Sequence, residues 1–192
     1  MIAAARLAAR GKAALWRARA RSAFARSSSR NGLALTMLPD FFVAAELFSD
    51  DPSIAFGILD AMLATAGGSD DPVSADLVRD IYYEKRGFLR AQLAAAAHDL
   101  GGLQQAAADY DRALSFPRVD TRRRYKIRAA KLSVEYLTRE PAARIEVADM
   151  LQGLIDEIEA SSDVAVDVVR IARSNVSRMT TGDSDLEPYE VL

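Results

Sequence analysis

Apolar residues recur every three or four positions along most of the chain, which is the period of an amphipathic helix. The alternation typical of a half-buried strand appears briefly at Val164, Val166 and Val168, but the helical step continues for longer, from Ala165 to Met179. The pattern therefore predicts an all-α protein. The predicted helices cover about residues 1–30, 40–48, 53–66, 73–99, 103–116, 121–138, 141–160 and 165–179. Gly87 leaves open whether 73–99 is one long helix or two nearly collinear ones.

Proline and glycine mark the predicted ends of these helices. The tetrapeptide SDDP occurs at Ser49–Pro52 and again at Ser69–Pro72, and each copy offers a capping side chain followed by proline in the first turn. Gly101-Gly102 is the predicted turn between two helices, Pro117 ends the second of them, and Pro141 begins another. Helices joined by such short connections are expected to form hairpins.

One helix shows why these segments have to pack together. Burying the apolar stripe of residues 141–160 would contribute roughly 10–15 kcal/mol, at about 1.5–3 kcal/mol for each side chain. Ordering its backbone costs about 1–2 kcal/mol per residue, so the helix cannot be stable alone. The stripe consists of Val147, Met150, Leu151, Leu154, Ile155 and Ile158.

The composition is that of a globular protein, and it excludes several kinds of functional site. Half of the 192 residues are apolar, and there is no cysteine and only one histidine. Disulfides and cysteine-ligated zinc are therefore excluded, and a histidine-based metal site or triad has almost nothing to use. We expect a basic N-terminal helix over residues 1–30, a helical domain over 40–179 and an acidic, flexible tail over 180–192.

The hairpin around the glycine pair carries a recognisable pattern. Its second half reads Leu103, Ala106-x3-Tyr110-x2-Ala113 and then Pro117, and its first half has Leu93-Ala94 at the matching place. Over Gly87–Asp120 the chain resembles one tetratricopeptide repeat, whose small residues allow two helices to cross closely. The resemblance implies an all-α, right-handed solenoid of stacked antiparallel hairpins. An ordinary helical bundle with closely packed alanine-rich helices is the alternative.

The resemblance also implies a function. Tetratricopeptide proteins commonly bind peptides on the concave face lined by the first helix of each hairpin. We therefore expect a non-catalytic scaffold or adaptor for a protein or peptide partner, which can be acidic. Carried over by position, that face would contain Phe88, Ala91, Ala95 and His98, followed by Arg122, Tyr125 and Ala129. Phe88, His98, Arg122 and Tyr125 are the predicted partner-binding residues, because arginine suits a carboxylate and the aromatic rings offer apolar contact.

Two basic segments leave alternatives open. Residues 118–131 hold seven cations, which can form a solvated or ion-paired surface or can contact nucleic acid. Residues 1–39 hold eight basic side chains and no acidic one. The helix over 1–30 can pair with the acidic body, bind anionic lipid or nucleic acid, or serve as a mitochondrial presequence. A nucleic-acid-associated regulator that uses segments 1–30 and 118–131 is thus the competing function.

No catalytic motif is present in the sequence. A nucleophile elbow, a phosphate-binding loop and a His-Glu-x-x-His motif are all missing. His98 is expected to cap a helix end rather than to act in catalysis. We expect no enzyme activity, cofactor or metal, no transmembrane segment, and a bacterial cytoplasmic location, or the mitochondrial matrix if residues 1–30 are a presequence.

Overall fold

The computed structural model describes residues 56–57, 59, 72–117, 119–161 and 165–189. Phe56, Gly57 and Leu59 are helical. The predicted helices over 1–30 and 40–48, most of the one over 53–66, and Arg118 lie outside the described residues. The remaining elements are α1 (Pro72–Ala97), α2 (Leu100–Leu114), α3 (Thr121–Thr138), a 3-10 turn (Pro141–Ala143), α4 (Arg144–Ala160) and α5 (Val166–Thr180).

These helices pack in chain order, each antiparallel to the one before it. The prediction of an all-α fold is confirmed for the described residues, whereas the finer prediction of a right-handed solenoid stays a prediction. The chain divides into two compact units, residues 1–85 and 86–192, and α1 contributes to both. The hairpin of α1 and α2, with α3 to α5, belongs to the second unit from Arg86 onward.

The turn between α1 and α2 lies three residues earlier than the sequence indicates. α1 ends in a Schellman motif, in which the amide of Asp99 donates to Ala94 O at 2.8 Å and the amide of His98 donates to Ala95 O at 3.2 Å. His98 takes the left-handed conformation that this motif requires, with φ 52°. The helix end is thus closed by the backbone of His98 and its neighbour.

The glycine pair serves packing instead of the turn. Gly101 and Gly102 lie in the first turn of α2. A Cβ atom added at Gly102 would lie 2.8 Å from the Cβ of Ala94, which is too close for a real contact. Glycine is therefore needed at position 102 because α1 and α2 cross closely at this end of the hairpin.

The same hairpin contains the predicted stripe of small residues. Ala106 and Ala113 are fully buried, and Tyr110 is 2% exposed between them. The ring of Tyr110 would lie 3.1 Å from a Cβ added at Gly87 on α1. Tyr110 thus fills the space that glycine leaves, and the predicted burial of this stripe is confirmed.

A buried ion pair joins α1 to α2. Asp109, which is 3% exposed, accepts hydrogen bonds from Arg86 Nε at 3.0 Å and Arg86 Nη2 at 2.5 Å. Arg90 Nη1 donates to Oδ2 of the same carboxylate at 2.6 Å, the oxygen that also accepts from Arg86 Nε. Both oxygens of a nearly buried carboxylate are therefore satisfied by arginines one helical turn apart on α1.

α3, α4 and α5 follow the sequence prediction closely. Asp120 caps α3 by accepting from the amide of Arg123 at 2.9 Å, and Pro141 opens the 3-10 turn that leads into α4. On α4, five of the six predicted stripe residues are buried, but Met150 is 57% exposed, so its predicted burial was wrong. Ala148 is buried on this helix as well. The buried face of α4 therefore includes Ala148 and leaves Met150 outside it.

α3 also contacts α5, two helices further along the chain. Tyr136, which is 1% exposed, donates its hydroxyl hydrogen to Met179 O at 3.0 Å. On α5, Val168, Ala172 and Met179 are buried as the helical step predicts. The helix predicted over 165–179 is therefore confirmed and the brief alternation of its valines does not form a strand.

Candidate functional site

A groove of about 490 Å³ lies between α1 and α3. Its lining is mainly apolar, and one side of it is formed by residues 184–189, which follow α5 and contain no helix. It is lined from α1 by Phe88, Ala91, Gln92, Ala95 and Ala96, from the turn after α1 by His98, from α2 by Tyr110, and from α3 by Ala130, Ser133, Val134 and Leu137.

The α1 side of the groove is a single helical face. Phe88, Ala91 and Ala95 follow at steps of three and four residues, so they lie in one row. Ala95 is exposed and Ala91 and Phe88 are half-buried. Because alanine is small, this row leaves room above the helix, and the room is bounded by an aromatic ring at one end and by His98 at the other.

Asn175 of α5 holds the opposite side of the groove in place. This side chain is fully buried, and its Nδ2 donates to Glu187 O at 2.9 Å and, at 3.4 Å, to Ser133 Oγ of α3. Its Oδ1 accepts from the amide of Glu187 at 2.7 Å. One amide side chain thus satisfies both backbone groups of Glu187 and connects residues 183–189 to α3 and α5.

Arginines of α5 contact the two carboxylates that flank Leu186. Arg170 Nη1 lies 2.8 Å from Glu187 Oε1, and this guanidinium lowers the pKa of Glu187 below its ordinary value of 4.5. Arg178 donates to the backbone carbonyl of Asp185 and lies 3.6 Å from its carboxylate. The segment is therefore held by its charges as well as by its backbone.

Tyr189 is the most buried residue of the segment. It is 3% exposed, and burial raises its pKa to about 12. Ser133 and Asn175 lie close enough to oppose that rise, yet the hydroxyl has no hydrogen bond of good geometry within the part of the chain that the structure describes. The ring is accommodated as an apolar group, while its polar end is left unsatisfied.

The structure brings two of the four predicted binding residues together. Phe88 and His98 both line the groove. Arg122 does not, and its Nη2 lies 2.9 Å from Asp167 Oδ2 of α5. Tyr125 is 9% exposed and is also absent from the lining.

Several cations of the basic segment 118–131 are used within the fold. Arg124 donates to backbone carbonyls near the end of α2, which include Leu114 O at 3.3 Å. Arg128 forms two hydrogen bonds with Glu157 of α4, at 2.7 and 2.8 Å, and the bonds lower the pKa of Glu157. Lys131 lies 2.6 Å from Asp111 of α2. The ion-paired interpretation of this segment therefore has direct support at these positions.

Sequence reasoning missed the role of Asn175. Asn175 continues the buried row of Val168 and Ala172 on α5. A polar residue at a core position needs hydrogen-bond partners, and that signal could have identified it. The sequence could not indicate that the partners would be the backbone of Glu187, because residues 180–192 have no periodic pattern.

Comparison of the chain with protein-family models, with curated proteins and with solved structures found no match. Among the described residues, no group of three or more acidic or histidine side chains is placed to hold a metal ion. No helix within those same residues has the length and apolar character needed to span a bilayer.

Proposed function

We propose that residues 86–189 form a non-catalytic protein-interaction module that binds an extended peptide segment of a partner in the groove between α1 and α3. The observation that carries the proposal is the groove itself, an open and mainly apolar channel with a non-helical stretch of the chain, residues 184–189, along one side. Its volume is in the range of known ligand sites, about 300–1,000 Å³.

The choice of helices that line the groove supports this function. α1 and α3 line the groove and α5 holds residues 183–189, whereas α2 contributes only Tyr110 and α4 contributes nothing to the lining. The tetratricopeptide resemblance implies that the first helix of each hairpin, here α1 and α3, faces one groove. We therefore include a tetratricopeptide-like stacking of these hairpins in the proposal.

The binding chemistry follows from the lining. Phe88, Val134 and Leu137 offer apolar contact for side chains that alternate along an extended peptide. Gln92 and His98 supply polar groups at the edge, where a peptide backbone or a carboxylate can be bound. A few polar groups in a mostly apolar channel fix orientation without large desolvation.

A groove-filling substitution tests the proposal. We expect Ala95→Trp to weaken the affinity for groove-binding peptides at least about tenfold, or about 1.4 kcal/mol, because the indole fills the space above α1. Peptides would first be selected from a displayed random library against the wild-type chain, and their dissociation constants then measured by calorimetry.

Ala108→Trp is the matched control, since Ala108 is likewise exposed on a helix but lies on α2 outside the groove lining. It should leave affinity within about twofold of wild type. Failure of the library to yield any binding sequence, or equal losses in the two variants, would count against the proposed function.

A further inference from the structure

We infer that residues 183–189 are an intramolecular ligand of the peptide site, so that a partner must displace them with an extended acidic segment of its own. This inference rests on the proposed function and specifies both the partner's chemistry and the regulation of the site. Its basis is the set of contacts that α3 and α5 make with the segment.

The backbone contact is the first argument. Asn175 bonds to both the amide and the carbonyl of Glu187 through its own amide group. Such a contact recognises an extended main chain whatever its side chains are, as in peptide recognition by added strands. Since Asn175 is fully buried and projects from α5, any extended segment placed there can form the same pair of bonds.

The charges of α5 give the site a preference for acidic segments. Asp185 and Glu187 are two residues apart, so in an extended chain they project to the same side. Arg178 and Arg170 of α5 contact these two residues, respectively. A partner segment with acidic residues at this spacing fits the same two arginines, whereas a basic segment would meet repulsion.

The segment is also a weak occupant. Ser184, Asp185 and Pro188 are exposed, and Leu186 and Glu187 are only half-buried. Tyr189 is buried, but its hydroxyl is unsatisfied within the described part of the chain, which is unfavourable. A competing segment with phenylalanine at the position of Tyr189 would not bury an unsatisfied hydroxyl. We therefore expect it to bind more tightly than the segment's own sequence.

Covalent connection compensates for these weak contacts. A tethered ligand experiences an effective concentration in the millimolar range, so it competes with free peptide without high intrinsic affinity. The wild-type chain should therefore bind an added copy of the segment poorly, and a chain whose own segment is released should bind it well.

The test uses the full chain and a fluorescent synthetic peptide of residues 181–189. The release variant is Leu186→Ser/Tyr189→Ser, which alters the segment and leaves the contacting faces of α1, α3 and α5 intact. The control is Ser184→Ala/Pro188→Ala, because both side chains are exposed. Fluorescence anisotropy should show at least about tenfold tighter binding to the release variant than to wild type or control.

Two further additions make the result specific. Adding Asn175→Leu to the release variant should abolish binding, and a peptide carrying Tyr189→Phe should bind several-fold more tightly than the original. Equal affinity of the peptide for wild type and release variant, or no binding to a release variant that retains its circular dichroism spectrum, would overturn the inference. The library-selected peptides would still bind wild type in that case, so the proposed function would stand separately.

A second measurement does not depend on the release variant. The amide of Glu187 donates to Asn175 Oδ1 at 2.7 Å, so we expect its hydrogen exchange to be slow in the wild-type chain. Saturating the wild-type chain with a library-selected peptide should remove that protection. Protection that persists at saturation would show that the segment is a fixed wall of the groove and is not displaced.

Discussion

Replacing Asp109 by leucine will lower the free energy of unfolding by about 2–3 kcal/mol. Removing one partner of a buried ion pair costs about 3–5 kcal/mol, and we expect a loss at or just below the lower end of that range because Arg86 and Arg90 are partly exposed and can reach water. Their side chains are 23% and 29% exposed, against 5% for Asp109. Chemical denaturation followed by circular dichroism measures the change.

Asp111→Leu is the control for this prediction. Asp111 lies on the same helix two residues later, but its side chain is 59% exposed and it pairs with Lys131. An exposed pair contributes about 0–1 kcal/mol, so this variant should stay within that range. Similar losses in the two variants would mean that the three hydrogen bonds on Asp109 do not hold α1 to α2.

Ala106→Leu is the second change with a large expected effect. Ala106 is fully buried between α1 and α2, and its carbonyl oxygen lies only 3.2 Å from where a Cβ of Gly87 would be. Added methylenes in such a place force the helices apart, at about 1–3 kcal/mol. Ala113→Leu, at another fully buried alanine of the stripe, should behave alike. Thermal and chemical denaturation measure both changes.

The same substitution at Ala108 provides the comparison. Ala108 is exposed on α2, so Ala108→Leu should change stability by no more than about 0.5 kcal/mol. If Ala106→Leu and Ala113→Leu were as harmless as Ala108→Leu, the hairpin would not be closely packed. The tetratricopeptide resemblance over residues 87–120 would then lose its physical basis.

Local signals were sufficient to locate the described helices. Pro117 and Pro141 cannot continue a helix, and Asp120 supplies a cap, so these boundaries follow from covalent structure and hydrogen bonding alone. Gly101-Gly102 was misassigned because glycine serves both turns and close helix contacts. The choice between the two depends on how near Ala94 lies, and that distance is a tertiary property.

The candidate site likewise contains residues that the sequence predicted correctly and residues that it did not. Phe88 and His98 were assigned to the groove by carrying positions over from the tetratricopeptide resemblance, and both do line it, because residues at steps of three and four along a helix share a face. Arg122 was assigned to the groove by carrying over a position, but its side chain reaches Asp167 on α5, 45 residues away. Long-range ion pairs of this kind have no signature in the spacing of residues along the chain.

The segment that completes the groove was the least predictable part. Residues 180–192 lack a period, and the sequence alone favoured a flexible tail. The structure places residues 183–189 against α3 and α5 through Asn175, Arg170 and Arg178. Such a placement depends on contacts with α3 and α5 that form only in the folded chain, and the residue pattern of the segment itself does not indicate them.

The most direct test of the central claim is to map a selected peptide onto the full chain by amide chemical-shift changes in NMR spectra. We expect the largest changes at Ala91 and Ala95 of α1, at His98 in the turn after α1 and at Val134 of α3, which all line the groove. Residues 185–189 should change as well, because the peptide displaces them. Changes confined to exposed positions of α2 and α4, such as Gln104 and Asp149, would contradict a binding site between α1 and α3.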